Sequence, residues 1–262
     1  MFLFRTIFFK FQKKISGVPA KKIFIVSIQK SGTHLIKKIM KEAGFEGIGI
    51  GEDAKMRDFR GLKDNQFLWS HFAPSDEIQM ALEKDDDSVY IIFNFRDPRD
   101  VLVSWFYWLH PNKHKNMHLH QEYMKKVYRN FTDDELITIF IRNDKFRKVE
   151  YNPIEHFRLS RVLYFHPKVL NIRFENIIGS KGGGNDGLQK KTIEAIFGYI
   201  ERKKNDVDID KIARSAFDPE SDTFRKGKIG GYKNILSIEH IKLFNELHGD
   251  IIQQYGYKLD IA

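Results

Sequence analysis

Residues 23–40 read IFIVSIQKSGTHLIKKIM, and the order of features within them points to an α/β fold. Ile23–Ser27 is a buried-strand candidate and Ile28–Gly32 a loop. From Thr33, Leu35, Ile36, Ile39, Met40 and Ala43 fall on one helical face, with Lys37, Lys38 and Lys41 opposite. Gly44 can end that helix. A helix N-terminus carries unpaired backbone N–H groups and the positive end of its dipole, both of which suit an anion. Lys30, Ser31, Gly32 and Thr33 add an ammonium, two hydroxyls and a glycine that permits close approach, together a phosphate cradle. The same residues would also suit an ordinary strand–turn–helix corner with a surface lysine. A nucleotide triphosphatase loop would read GxxxxGK[ST]. Here Lys30 precedes Gly32 and Ser27 stands where the first glycine would be, so the loop is of another kind.

Outward from this unit the pattern keeps alternating. Phe67–Phe72 reads as a second strand, followed by Pro74 and a helix capped by Ser75. Val89–Phe95 is nearly continuously apolar, as a strand covered on both faces should be. Asp97-Pro98 supplies an N-cap and a first-turn proline for a helix Arg99–Leu109. Thr132-Asp-Asp-Glu135 is a capping box ahead of Leu136–Phe146. Asn152-Pro153 opens a helix to about His166, Lys168–Phe174 follows as a strand, and Lys181–Gly187 reads as a flexible loop. Two shorter helices precede Phe217, and Ser237 caps a last helix reaching about Tyr255. The expected fold is α/β: a single domain with a central parallel sheet, helices on both faces and a P-loop-like phosphate-binding strand–loop–helix. No repeat or long linker divides residues 22–262, which form one domain after a basic apolar segment, residues 1–21.

Composition narrows the function. The 262 residues carry 44 Lys+Arg against 35 Asp+Glu, a formal charge of +9, with 42% hydrophobic residues and 23 Phe. That excludes a disordered or collagen-like chain and points to an anionic partner: nucleic acid, a membrane surface or a phosphorylated ligand. The absence of Cys rules out disulfides, thiolate zinc sites, iron–sulfur clusters and a cysteine nucleophile. The opening MFLFRTIFFKFQKK is interrupted by Arg5 and Lys10, too soon for a membrane span of ~20 apolar residues. It fits a secretory signal poorly and reads either as a helix packed on the domain, or frayed, or as a basic, Phe-rich membrane-surface anchor.

Two further constellations carry charge. In YIIFNFRDPRDVLVSWFYW, residues 90–108, Arg96 stands just past the C-terminal end of a strand, where ligands bind in open α/β sheets. It can bind an anion or pair with Asp97 or Asp100. In FRKGKIGGYKN, residues 224–234, Arg225, Lys226, Lys228 and Lys233 surround three glycines, and an anion would order them. The His110, His114, His118 and His120 cluster sits among Pro and Lys and reads as a mobile lid rather than a metal site.

The order of KSGT after a strand, R-x-P-[KR]-D-x-x-x-S in mid-chain and FRKGxxGxxKN near the C-terminus resembles the cytosolic-type sulfotransferase family, over about residues 22–257. The resemblance implies a sulfuryl donor, 3′-phosphoadenosine 5′-phosphosulfate (PAPS), with adenosine 3′,5′-bisphosphate (PAP) as product and no metal. It assigns Lys30, Ser31, Gly32 and Thr33 to the 5′-phosphosulfate, with Lys30 stabilising the leaving oxygen. Arg96 and Ser104 match the grip on the 3′-phosphate, and Arg225, Lys226 and Gly227 the loop closing over it. His71, in Ser70-His-Phe-Ala-Pro74, matches the general base. Phe174 stands where a Tyr usually contacts adenine, and Phe217, with Ser215 beside it, matches the Phe stacking on the base.

The sequence also departs from that pattern. His34 replaces a Thr, Leu35 the adenine-stacking Trp, Trp69 a frequent Lys and Gly231 the Asp of Gly-Asp-Trp-Lys, while the dimer motif survives only as Lys233, Ser237 and Ile238. Chemistry agrees with the resemblance, since in-line sulfuryl transfer needs positioning and cations, and a His near pKa 6.5 can take the acceptor's proton. The expected partner is a small hydroxyl or amine acceptor, apolar or aromatic if Phe67, Trp69, Phe72, Trp105, Tyr107 and Trp108 face it. Nucleic acid is not expected, the chain would act as monomer or homodimer, and the implied compartment is cytoplasmic. The alternatives are a nucleotide kinase with a degenerate phosphate loop and a basic module that binds an anion or a membrane.

Overall fold

A computed structural model describes residues 22–49, 62–63, 65–71, 82–83, 88–110, 127–143, 153–202, 206–217 and 227–260. The N-terminal segment 1–21, Phe72, the helix read after Pro74 except residues 82–83, His114, His118, His120, Arg225 and Lys226 lie outside these residues. Five strands, β1 (Lys22–Ser27), β2 (Glu46–Gly49), β3 (Gln66–Ser70), β4 (Val89–Phe95) and β5 (Val169–Arg173), form one sheet in the order β2-β3-β1-β4-β5. Every pairing is parallel, from Ile23↔Phe67 and Lys22↔Val89 at the centre to Ile91↔Val169 and Glu46↔Gln66 at the flanks.

The alternation of the central strands explains why helices cover both faces. Phe24 and Val26 of β1, with Ile91, Phe93 and Phe95 of β4, point into one apolar cluster, and Ile23, Ile25, Tyr90 and Ile92 into the other. The first cluster is closed by α2 (Pro98–Leu109), α3 (Asp133–Arg142), α4 (Pro153–Leu159), α5 (Arg161–Phe165) and α9 (Ile238–Gln254). The second is closed by α1 (Thr33–Glu42), α6 (Phe174–Ile177), α7 (Asp186–Tyr199) and α8 (Ile209–Ala216). Among the described residues no helix is long and apolar enough to cross a membrane.

Local signals place most boundaries. Asp97 caps α2 by accepting from Arg99 N, with Pro98 in the first turn, and Thr132 and Glu135 form the expected capping box of α3. Four readings need correction. The helix after Thr132 stops at Arg142, because Asn143 turns left-handed at φ 60°. The helix expected to run to His166 is two, α4 and α5, separated at Ser160. The strand expected through Phe174 ends at Arg173, and Phe174 starts α6. Residues 181–187 are ordered, a turn that runs into the start of α7: Asp186 accepts from Ser180 N and Oγ at 2.7 and 2.9 Å, and Asn185 caps α7.

The edge strand β2 escapes sequence reading because its EGIG is exposed and holds two glycines. Its partners supply the missing side chains. The Phe67 ring lies over Gly47 and the Trp69 ring over Gly49, so a Cβ there would stand 2.6 and 2.9 Å from ring atoms.

Candidate active site

A parallel sheet delivers the C-terminal ends of its strands to one edge. Lys30 follows β1, His71 follows β3, Arg96 follows β4 and Phe174 follows β5. From β1 the chain crosses to the edge at β2 and returns to β3, whereas from β4 it runs the other way to β5, so the connections leaving β1 and β4 diverge and the reversal lies between these two strands. That is where open α/β sheets bind ligands.

The loop between β1 and α1 is tightly made. Ser31 N donates to Ile28 O at 3.0 Å, while Lys30 and Gly32 take φ 66° and 90°. Gly32 caps α1 with no side-chain hydrogen bond, and no acidic residue occupies the first turn, so the leading N–H groups keep their positive end. Beneath the loop, Ser27 Oγ and Thr33 Oγ1 are 2.8 Å apart. Asn94 Nδ2 donates to both Ser27 Oγ (3.0 Å) and Ser31 O (2.9 Å). Sequence reading passes over Asn94; its signal is an amide inside the otherwise apolar and aromatic β4.

Phe174 joins this loop to the end of β4. Its ring packs so closely on Gly32 that a Cβ would stand 2.5 Å from Cδ2, and the Arg96 guanidinium lies 4.3 Å above the ring centre. At 3% exposed, Phe174 is a buried spacer between the Lys30–Thr33 loop and Arg96. Arg96 takes the second of its two expected carboxylates: Nη2 donates to Asp100 Oδ2 (3.1 Å), while Asp97 pairs with Arg99 (2.7 Å). The same Nη2 donates to Lys228 O at 2.6 Å. Asp100 also accepts from Gly230 N (2.8 Å) and Tyr232 N (2.9 Å), which docks the glycine-rich C-terminal loop against α2. Ile229 N donates to Gly182 O (3.1 Å), holding that loop from the α6 side. Asp100 is therefore a second organising residue, foreseen only as a partner for Arg96.

Ser31 Oγ and Arg96 Nε are buried and have no hydrogen-bond partner among the described residues. Two buried polar atoms left in this way, at the two ends of the Gly32–Phe174–Arg96 stack, fit an anionic ligand that would satisfy them.

Ser104 is half-buried one turn beyond Asp100, on the same side of α2. Gly227 opens the described part of the C-terminal loop with φ 53°. Ser215 and Phe217 belong to α8 and its C-terminus, beside α1. The Ser215 hydroxyl bonds its own helix at Ile212 O (3.1 Å), and the half-buried Phe217 packs on the core.

His71 forms the other side of the crevice. Its Nδ1 lies 3.0 Å from Ser27 O. A carbonyl only accepts, so Nδ1 carries the hydrogen and Nε2 keeps its lone pair. Burial lowers the His71 pKa most, against the opposing bond to Ser27, and the charges of Lys30, His34 and Lys37 lower it further. Trp69 meets the His71 ring edge-on at 5.5 Å and carries the Lys37 ammonium 3.7 Å above its own centre. Lys30 Nζ lies 5.3 Å from the centre of the Trp108 ring. Of the aromatic residues expected at an acceptor, Phe67 and Trp105 are core, at 1% and 2% exposed. Trp69, Tyr107 and Trp108 are half-buried. His110 is buried against Tyr128, ring centres 4.4 Å apart.

No family model matches the sequence, and no curated protein matches it. Solved structures do. Mouse sulfotransferase SULT7A1 complexed with PAP superposes with a TM-score of 0.64 at 19% identity, over 90% of this chain and 86% of that one. Retinol dehydratase in complex with androsterone and inactive cofactor PAP gives 0.56 at 15% identity, over 95% and 85%. The same enzyme with retinol and PAP gives 0.54 at 15%, over 94% and 84%. The resemblance carried by three short motifs thus holds at the level of fold: this chain is built like a sulfotransferase from end to end of its sheet.

Proposed function

We propose that this chain is a PAPS-dependent sulfotransferase acting on a hydroxyl or amine of a small acceptor. The observation that carries the reading is the continuous run of contacts from His71 through Ser27 and the Lys30–Thr33 loop to Phe174, Arg96, Asp100 and the loop at 228–232. It links the end of every strand but the edge strand β2 around one crevice, and it leaves Ser31 Oγ and Arg96 Nε without protein partners among the described residues. The three neighbouring structures were solved with PAP, two of them also with androsterone or retinol, which supports the same ligand class here.

In this reading the donor supplies the sulfuryl group at its 5′ end. Lys30, Ser31, Gly32, Thr33 and the N-terminus of α1 hold that end. Arg96, Ser104, Arg225, Lys226 and Gly227 hold the 3′-phosphate, with Ser215 and Phe217 toward the base, while Phe174, the residue matched to the adenine contact, spaces the two phosphate ends from beneath. His71, neutral at pH 7 because its pKa is lowered, takes the acceptor's proton at Nε2. The Lys30 ammonium offsets the charge that grows on the leaving oxygen, an effect worth about a hundredfold to a thousandfold for one well-placed donor group. Trp69 and Trp108 beside these two residues suit an apolar or ring-bearing acceptor.

PAP without Mg²⁺ should raise the melting temperature, and ATP without Mg²⁺ should do so weakly. A shift with Mg·ATP and none with PAP overturns the reading in favour of a kinase. Turnover of PAPS with phenols, sterols, sugars and amines then identifies the acceptor. Lys30→Ala and His71→Ala should each lower turnover at least about a hundredfold with the fold intact.

A further inference from the structure

Behind the half-buried His71 stands a buried imidazole. His156, on α4, is 8% exposed, and its Nδ1 lies 2.8 Å from the main-chain oxygen of His71. That oxygen can only accept, so His156 Nδ1 is the donor. Burial lowers the His156 pKa to about 4, with the bond to His71 opposing and the His71 charge adding to the effect, so the ring is neutral at pH 7. The bond acts where the sheet stops helping: the last pair of the β1–β3 ladder is Val26↔Ser70, and His71 is the next residue.

The imidazole of His71 is therefore held from two directions. Its ring donates to Ser27 O on β1, and its own carbonyl is held by α4. Apolar packing between α4 and the core is already supplied by Ile154 and Phe157, so a phenyl ring at 156 would fill the space. What a phenyl ring lacks is the N–H, and a buried polar ring is tolerated only where its hydrogen bond is made.

We propose that His156 is a positioning residue for His71: it fixes the chain at the exit of β3 so that His71 keeps Nδ1–H on Ser27 O and turns Nε2 to the crevice. The catalytic consequence rests on the sulfotransferase reading; the positioning itself does not. Long-range ¹⁵N–¹H correlation on the full chain with ¹⁵N-labelled histidine reads the tautomers directly. In the native protein at pH 7 both His71 and His156 should be Nδ1–H. His156→Phe should let His71 populate both tautomers and lower kcat about tenfold or more, with the KM for PAPS and the PAP thermal shift unchanged. His156→Asn, which returns an N–H close to the same place, should restore the tautomer and kcat to near the native values. A native His71 in the Nε2–H form, or a His156→Phe protein with native tautomer and kcat, overturns the proposal. Should His156→Phe fail to fold, the native spectrum and His156→Asn decide. Absence of a PAP shift in the native protein strikes the donor reading alone, because the spectra still judge His156.

Discussion

The two halves of the crevice are built differently. On the Arg96 side, Gly32, Phe174, Arg96, Asp100 and the loop at 228–232 interlock through a buried ring, a buried ion pair and three main-chain hydrogen bonds. On the His71 side, His71 itself is held by main-chain bonds, its ring to Ser27 and its carbonyl from His156; around it Lys37 rests on Trp69, Trp69 meets His71 and Lys30 reaches Trp108, all half-buried ring contacts. Buried ion pairs and main-chain bonds demand one geometry, whereas a cation over a half-buried ring contributes only about 0.5–2 kcal/mol and tolerates movement. Such a division suits a reaction in which one substrate is invariant and the other is the variable partner.

The sharpest way to break the rigid half is Gly32→Ala. Its Cβ would meet Phe174 Cδ2 at 2.5 Å at a backbone φ of +90°, and Phe174 cannot retreat because Arg96 lies on it. Overpacking and left-handed strain together predict a loss of roughly 3 kcal/mol in chemical denaturation, and loss of the PAP shift.

Acid should loosen the other half. The folded pKa of His156, about 4, lies below the unfolded value near 6.5. Its contribution is therefore fully present above pH 6.5 and is lost as the pH falls through about 4, roughly 3 kcal/mol in all. His71 and His248, also lowered mainly by burial, act in the same direction. Urea melts at pH 7 and pH 4 should show the drop, and His156→Asn should reduce it.

The smallest effect sharpens the contrast. Lys37→Met removes one of the charges that hold the His71 pKa down, the last of its causes after burial, Lys30 and His34, so the acid limb of the kcat profile should move slightly toward higher pH. Stability should change by under about 2 kcal/mol, with the PAP shift unaltered.

This contrast also decides what could be read from sequence. The Lys30–Thr33 loop was legible because strand, loop and helix signals lie within eighteen consecutive residues, and Asp97-Pro98 because a cap and a first-turn proline are local. The clamp of Asn94 on Ser27 and Ser31 spans more than sixty residues, and that of Asp100 on Gly230 and Tyr232 about 130. Spacing along the chain encodes neither. The ordering of 181–187 was hidden because its glycines suggest freedom while Asp186 and Asn185, which remove it, look like ordinary loop residues. The aromatic residues around Trp105 misled for the reverse reason: strand and helix periodicity serves core and pocket alike, and only burial separates Phe67 and Trp105 from Trp69 and Trp108.

The all-parallel sheet has a consequence for how the crevice comes into being. β1 is the first described strand yet lies in the middle, and its ladder with β4 pairs Lys22 with Val89 and Ser27 with Asn94. No tight hairpin can start such a sheet, so each pairing must first close a long loop, an entropic cost met before the pairing contributes. The Lys30–Thr33 loop cannot reach its final shape until Asn94 arrives beneath it, nor His71 until Ser27 is in place. Folding should consequently be slow for a chain of this size, and anion-binding competence should appear in stopped-flow refolding together with the last-formed sheet, with no earlier partially competent species.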